Sequence, residues 1–96
     1  MGIDEVLRAR RDDILLIARR HGVTRVRVFG SFARGDAGAD SDVDLLIDVR
    51  GPTPPWFPGG LVAELEALLG RRVDAVEPEA LSEAIRAQVL REAVLL

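Results

Sequence analysis

The chain has 96 residues, 48% of them apolar and 30% charged, with a formal net charge of −3 and no cysteine. That length makes one domain spanning residues 1–96, with enough apolar content for a single core and too much for a disordered chain. Disulfides and thiolate metal sites are excluded, no stretch resembles a signal peptide or a membrane span, and a cytoplasmic location is the expectation.

The first predicted element is a helix from Asp4 to Arg20. Its apolar residues Ile3, Val6, Leu7, Ile14, Ile17 and Ala18 form one stripe, and Gly22 suits its C-terminal cap. Thr24 to Phe29 alternates as a strand, and Ser31 to Arg34 fits a short helical turn. A polar loop from Gly35 to Ser41 follows, with Asp40 and Ser41 shaping the entry to the next strand. Asp42 to Val49 is the clearest strand. Val43, Leu45, Ile47 and Val49 share one face, and Asp42, Asp44, Leu46 and Asp48 the other. Arg50 to Gly60 holds prolines and glycines at loop density. Within it, Pro52 to Phe57 and Pro58 could cover a ligand, contact a partner or pack on the core. Leu61 to Leu69 is a helix stopped by Gly70, and Arg72 to Glu77 is a third strand. Pro78 starts a turn, and Ser82 is placed to cap a last helix running to Leu96. The apolar Val94-Leu95-Leu96 end implies docking on the chain's own core or on another chain. The fold class is α/β (α+β): a mixed sheet of three to four strands with helices on one face.

Chemistry concentrates in Gly30-Ser31-Phe32-Ala33-Arg34-Gly35 and in Asp42-Val43-Asp44. A Gly-Ser turn opening a helix offers backbone N–H groups and a hydroxyl to a phosphate. Gly30 lets backbone come close to a ligand, and Gly35 supplies a conformation closed to side chains. Arg34 is placed to bond phosphate or to brace the carboxylates. An ordinary strand-to-helix turn is the alternative, and Asp42 and Asp44 weigh against it. Residues two apart on a strand share a face, with Cα atoms about 6.6 Å apart. Two carboxylates so placed repel unless a cation lies between them, and Mg²⁺ takes oxygen ligands. Asp74 sits mid-strand, where Asp is disfavoured, and joins the cluster if its strand pairs beside Asp42–Val49. Otherwise it is an exposed sheet-face residue. Asp48 lies about 13 Å from Asp44 and reads as a solvated strand end. His21, the single histidine, reads as a helix-end residue.

These segments, with Val73-Asp74-Ala75-Val76 and the closing Arg91-Glu92-Ala93, resemble the minimal nucleotidyltransferases (MNT domains) of the DNA polymerase β-like superfamily. The resemblance runs from Val23 to the C-terminus. It implies that Gly30 and Ser31 hold a triphosphate, with Arg34 beside them. It implies that Asp42 and Asp44 bind two Mg²⁺ ions, and that Asp74 completes the metal site and acts as base. It implies transfer of AMP from ATP to a hydroxyl, and for antitoxin members a tyrosine of a HEPN-domain toxin.

The small size favours a protein acceptor recognised by docking, in a hetero-oligomer with the partner. A binding module that silences its partner by occlusion is the second possibility. A catalytic subunit whose acceptor-binding domain lies on another chain is the third. The acidic balance argues against direct nucleic-acid binding, which needs a basic face.

Overall fold

Two alternating segments of the sequence pair at the centre of a four-stranded sheet. The computed structural model describes residues 5–96. The elements are α1 (Glu5–Ala9), α2 (Arg11–Arg20), β1 (Val23–Phe29), α3 (Ser31–Arg34), β2 (Val43–Val49), α4 (Gly59–Leu69), β3 (Val73–Val76), a 3₁₀ turn (Pro78–Ala80), α5 (Glu83–Glu92) and β4 (Val94–Leu95). The strand order is β3-β2-β1-β4. β1 is antiparallel to both β2 and β4. β2 and β3 are parallel, and α4 makes the crossover that a parallel pair requires.

One face of the sheet carries the core. Val26, Val28, Val43, Leu45, Ile47, Val73 and Ala75 pack there with Leu7, Ile14 and Ile17 and with Leu61 and Leu65. Each such Val, Leu or Ile side chain contributes roughly 1.5–3 kcal/mol relative to exposure. Alternation then obliges the next residues along β2 and β3 to face the other way. Leu46 on that second face is also fully buried but stands outside the main core.

The elements depart from the sequence pattern in three places. The first helix is two helices: Arg10 leaves the helical region (φ −110°, ψ 13°) and its N–H bonds Leu7 O at 3.2 Å, closing a tight turn before α2. Ile3 and Asp4 lie outside the described residues. α4 starts at Gly59, inside the predicted loop, while Trp56 stays exposed and Phe57 packs against the core. The last helix stops at Glu92, because Ala93 is extended (φ −64°, ψ 139°) and delivers β4 to the free edge of β1. Leu96 docks on the chain's own core, its N–H donating to Val26 O at 3.0 Å and its carbonyl accepting from Arg11 Nε at 3.0 Å. Ser82 precedes α5 as expected but makes no side-chain capping bond.

His21 joins α2 to α4. Its Nε2 lies 2.6 Å from Glu64 Oε2, and Arg20 Nη2 donates to Glu64 Oε1 at 3.1 Å. The His21 hydrogen bond, then Arg20, hold the Glu64 carboxyl below its ordinary range. A depressed folded value means stability that is present above the unfolded carboxylate range and lost as pH falls through the folded value. Glu64→Gln is therefore expected to lower the melting temperature slightly at neutral pH, with the difference from wild type closing as pH falls below about 4. Equal melting temperatures for the two forms at neutral pH would show that the contact adds nothing in solution.

Candidate active site

The site is built where β1 ends. Gly30 turns the chain into α3 with φ 72° and ψ −152°, a combination open essentially to glycine alone. Its carbonyl at once accepts from Ala33 N–H and Arg34 N–H. A Cβ on Gly30 would run into Asp44 Oδ2 and lie 3.2 Å from Asp44 Cγ. The bare α-carbon thus makes room for a carboxylate of the neighbouring strand, where the sequence pattern assigns that room to a ligand.

Asp44 is held between two strands. Its register partner on β1 is Phe29, and its partner on β3 is Asp74. In-register neighbours stand about 4.8 Å apart across a sheet, so the Asp44 and Asp74 side chains leave the same face side by side. Asp42 precedes β2 on that face. Burial, then the charges of Asp74 and Asp42, push the Asp44 carboxyl above its ordinary range, with Glu92 adding to the push and Arg34 opposing it. Asp42 and Asp74 are exposed. The three predicted carboxylates are therefore neighbours, although among the described residues no three acidic or histidine side chains form a closed metal cage. Asp48 lies away from them, bonded by Arg25 Nε at 2.6 Å and near Arg27 Nη2 at 3.6 Å.

Ser31 opens α3 and is half-buried. The first N–H groups of any helix lack intrahelical acceptors, and among the described residues the Ser31 hydroxyl has no protein partner. Arg34 is differently placed. Its Nε donates to Asp36 Oδ2 and its Nη1 to Glu92 Oε2, both at 3.3 Å, which hold the guanidinium more firmly charged. Glu92 Oε1 also accepts Gly30 N–H at 2.9 Å. Of the residues predicted to bind nucleotide, Ser31 keeps its hydroxyl unbonded among the described residues, and Gly30 and Arg34 are engaged by Glu92.

Arg71 fixes the loop that feeds Asp42. It stacks 4.9 Å from the Phe32 ring centroid and donates from Nη1 to Gly38 O at 3.1 Å and Ser41 O at 3.2 Å. Ser41 Oγ accepts Gly38 N–H at 2.8 Å, as its turn role predicts. An open depression of about 220 Å³ lies here, with Ser41, Asp42, Arg71 and Arg72 in its walls.

Glu92 enters the sequence pattern only within the closing Arg91-Glu92-Ala93 segment, with no role of its own. A carboxylate in the last turn of a helix faces the negative end of its dipole, an unfavourable place without a partner. That is the signal that points to it. Arg71 gave no such sign, because its role depends on the loop conformation.

The model of the nucleotidyltransferase domain family matches residues 11–96. The chain belongs to the nucleotidyltransferase family. It is 41% identical over 92 residues to the protein adenylyltransferase MntA of Thermococcus cleftensis, covering 96% of this chain and 90% of that one. A solved structure described as a minimal nucleotidyltransferase superposes with a TM-score of 0.85 at 50% identity, over 96% of this chain and 94% of the other. The solved toxin–antitoxin MntA–HepT shares the fold, with a TM-score of 0.69 at 18% identity over 92% of this chain and 69% of the other. Among the described residues, no helix of this nucleotidyltransferase is long and apolar enough to cross a membrane.

Proposed function

We propose that this nucleotidyltransferase moves AMP from ATP to a tyrosine hydroxyl of a HEPN-domain partner and so acts as the antitoxin of a toxin–antitoxin pair. The observation that carries the reading is the register of Asp44 beside Asp74, with Asp42 on the same face and Ser31 at the adjoining strand end. The name of the Thermococcus relative and the fold shared with MntA–HepT support the protein acceptor and the paired partner.

The donor set fits Mg²⁺: Asp42, Asp44 and Asp74 offer hard oxygen ligands, and their mutual repulsion calls for a cation. When bound, Mg²⁺ supplies charge neutralisation for the triphosphate and for the departing pyrophosphate. Ser31 Oγ and the opening N–H groups of α3 hold the phosphates. Asp74 takes the proton of the acceptor hydroxyl. That oxygen bonds the α-phosphorus as the bond to the bridging oxygen of the β-phosphate breaks, releasing pyrophosphate. β3 is an edge strand and Asp74 is exposed, so a whole protein can bring its hydroxyl to this base.

The test is the intact mass of the protein encoded beside this gene, incubated with ATP, Mg²⁺ and this chain. A gain of one or more AMP units with wild type, and none with Asp44→Asn, is the expected result. An unchanged mass with a stable complex from both forms would assign silencing to occlusion instead.

A further inference from the structure

We propose that Glu92 is a positioning residue for the active site: from the end of α5 it holds the Gly30 turn in the one conformation that leaves room for Asp44. The proposal rests on the reading of Asp44 as a member of the transfer site.

Three observations meet at this side chain. Glu92 Oε1 accepts Gly30 N–H at 2.9 Å, and Oε2 accepts from Arg34 Nη1 at 3.3 Å. One carboxylate therefore bridges the first residue of the turn and the last residue of α3. The side chain is mostly enclosed, with 23% of its surface exposed, so water is a poor substitute for either contact. Gly30 in turn sits against Asp44, where even a methyl group would collide with Oδ2.

The contact is also costly to make. Glu92 lies in the last turn of α5, against the helix dipole, and its charge adds to the repulsion on Asp44. A hydrogen bond to an ionised acceptor is stronger than a neutral one, and Gly30 N–H has no strand partner to replace it. The segment after Glu92 enters β4 and pairs with β1, the strand that ends at Phe29. Glu92 thus stands where the end of α5 meets the end of β1 and the turn that follows it. The turn is fixed from outside the glycine motif, by a residue 62 positions further along the chain.

The two carboxylate oxygens allow the roles to be separated. Glu92→Gln keeps an oxygen for Gly30 N–H and loses the acceptor for Arg34. Glu92→Ala loses both. Amide exchange at Gly30, measured by NMR, is expected to stay slow in wild type and Glu92→Gln and to become fast in Glu92→Ala. Affinity for Mn²⁺ alone is expected to fall about tenfold in Glu92→Ala, because a displaced metal ligand loses affinity on that scale. The turnover number for AMP transfer is expected to fall on the order of 100-fold in Glu92→Ala, with the KM for ATP changed less than about threefold and Glu92→Gln restoring most of the rate. A residue with only a stabilising role would lower the melting temperature and leave Mn²⁺ affinity and turnover per folded molecule at wild-type values. That outcome, or unchanged Gly30 exchange in Glu92→Ala, would overturn the proposal. Absence of transfer by wild type would instead overturn the proposed function, and the exchange and Mn²⁺ measurements would still judge Glu92.

Discussion

Asp44→Asn is expected to abolish AMP transfer, by roughly 10³-fold or more, and at the same time to raise the melting temperature of the metal-free protein. The first effect follows from removing the charge that the proposed mechanism gives to the metal, at the centre of the carboxylate group. The second follows from the sign of the Asp44 shift. Burial and the neighbouring Asp74 and Asp42 push its carboxyl above the ordinary range. Its ionisation therefore costs folded-state stability at any pH above the folded value, and the cost disappears below the unfolded value near 3.9. Asparagine keeps the shape and removes the charge. Because Asp44 is only half-buried, solvent screening limits the gain to about 0.5 kcal/mol, or roughly 2–4 °C in a domain of this size. Mg²⁺ is expected to raise the wild-type melting temperature in a concentration-dependent way and to do so far less for the variant. Differential scanning fluorimetry with and without Mg²⁺ reads all of this. A variant that melts below wild type without metal would show that Asp44 is a structural member of the sheet and not a strained one.

The crowding of carboxylates around Asp44 was partly legible in the chain. The alternation from Val43 to Val49 separates a buried face from an acidic one with no knowledge of the fold. Asp42 and Asp44 follow from it directly. Asp74 does not. Its meeting with Asp44 depends on β3 pairing parallel to β2 in one register, a long-range choice made by the α4 crossover. Slipping that register by one residue would turn Asp74 into the core. β4 was hidden for another reason. Two residues are too few for a period, and Val94 and Leu95 continue the apolar character of α5. The chain leaves the helix there because Leu96 gains burial and a backbone partner on Val26. Glu92 shows a third kind of limit. Its residue type and helix-end position are visible in the sequence, but its partner at Gly30 is a backbone N–H, which carries no sequence signature.

Gly30 and Gly35 bound the same short helix and are expected to respond to alanine to very different degrees. Gly30 adopts φ 72° and ψ −152°, whereas Gly35 adopts φ 83° and ψ 16°. The second is a left-handed cap that alanine can enter at a cost of about 1 kcal/mol. No heavy atom lies within 4 Å of a Cβ built at Gly35. Gly35→Ala should therefore lose a few degrees of melting temperature and keep its activity per folded molecule. At Gly30 the backbone penalty alone is about 1–3 kcal/mol, and the added methyl also collides with the Asp44 carboxylate. The expected total is roughly 2–4 kcal/mol, a large share of the 5–15 kcal/mol that holds a small domain together, with a drop of about 10–20 °C. The molecules that stay folded must move either the turn or Asp44, and displacement of about 1 Å at a reacting centre costs on the order of 100-fold in rate. Urea titration with transfer assays normalised to folded protein separates the two losses. Gly30→Ala with wild-type turnover per folded molecule would mean that Asp44 has room to spare, and the close seating of that carboxylate against the turn would no longer explain why glycine stands there.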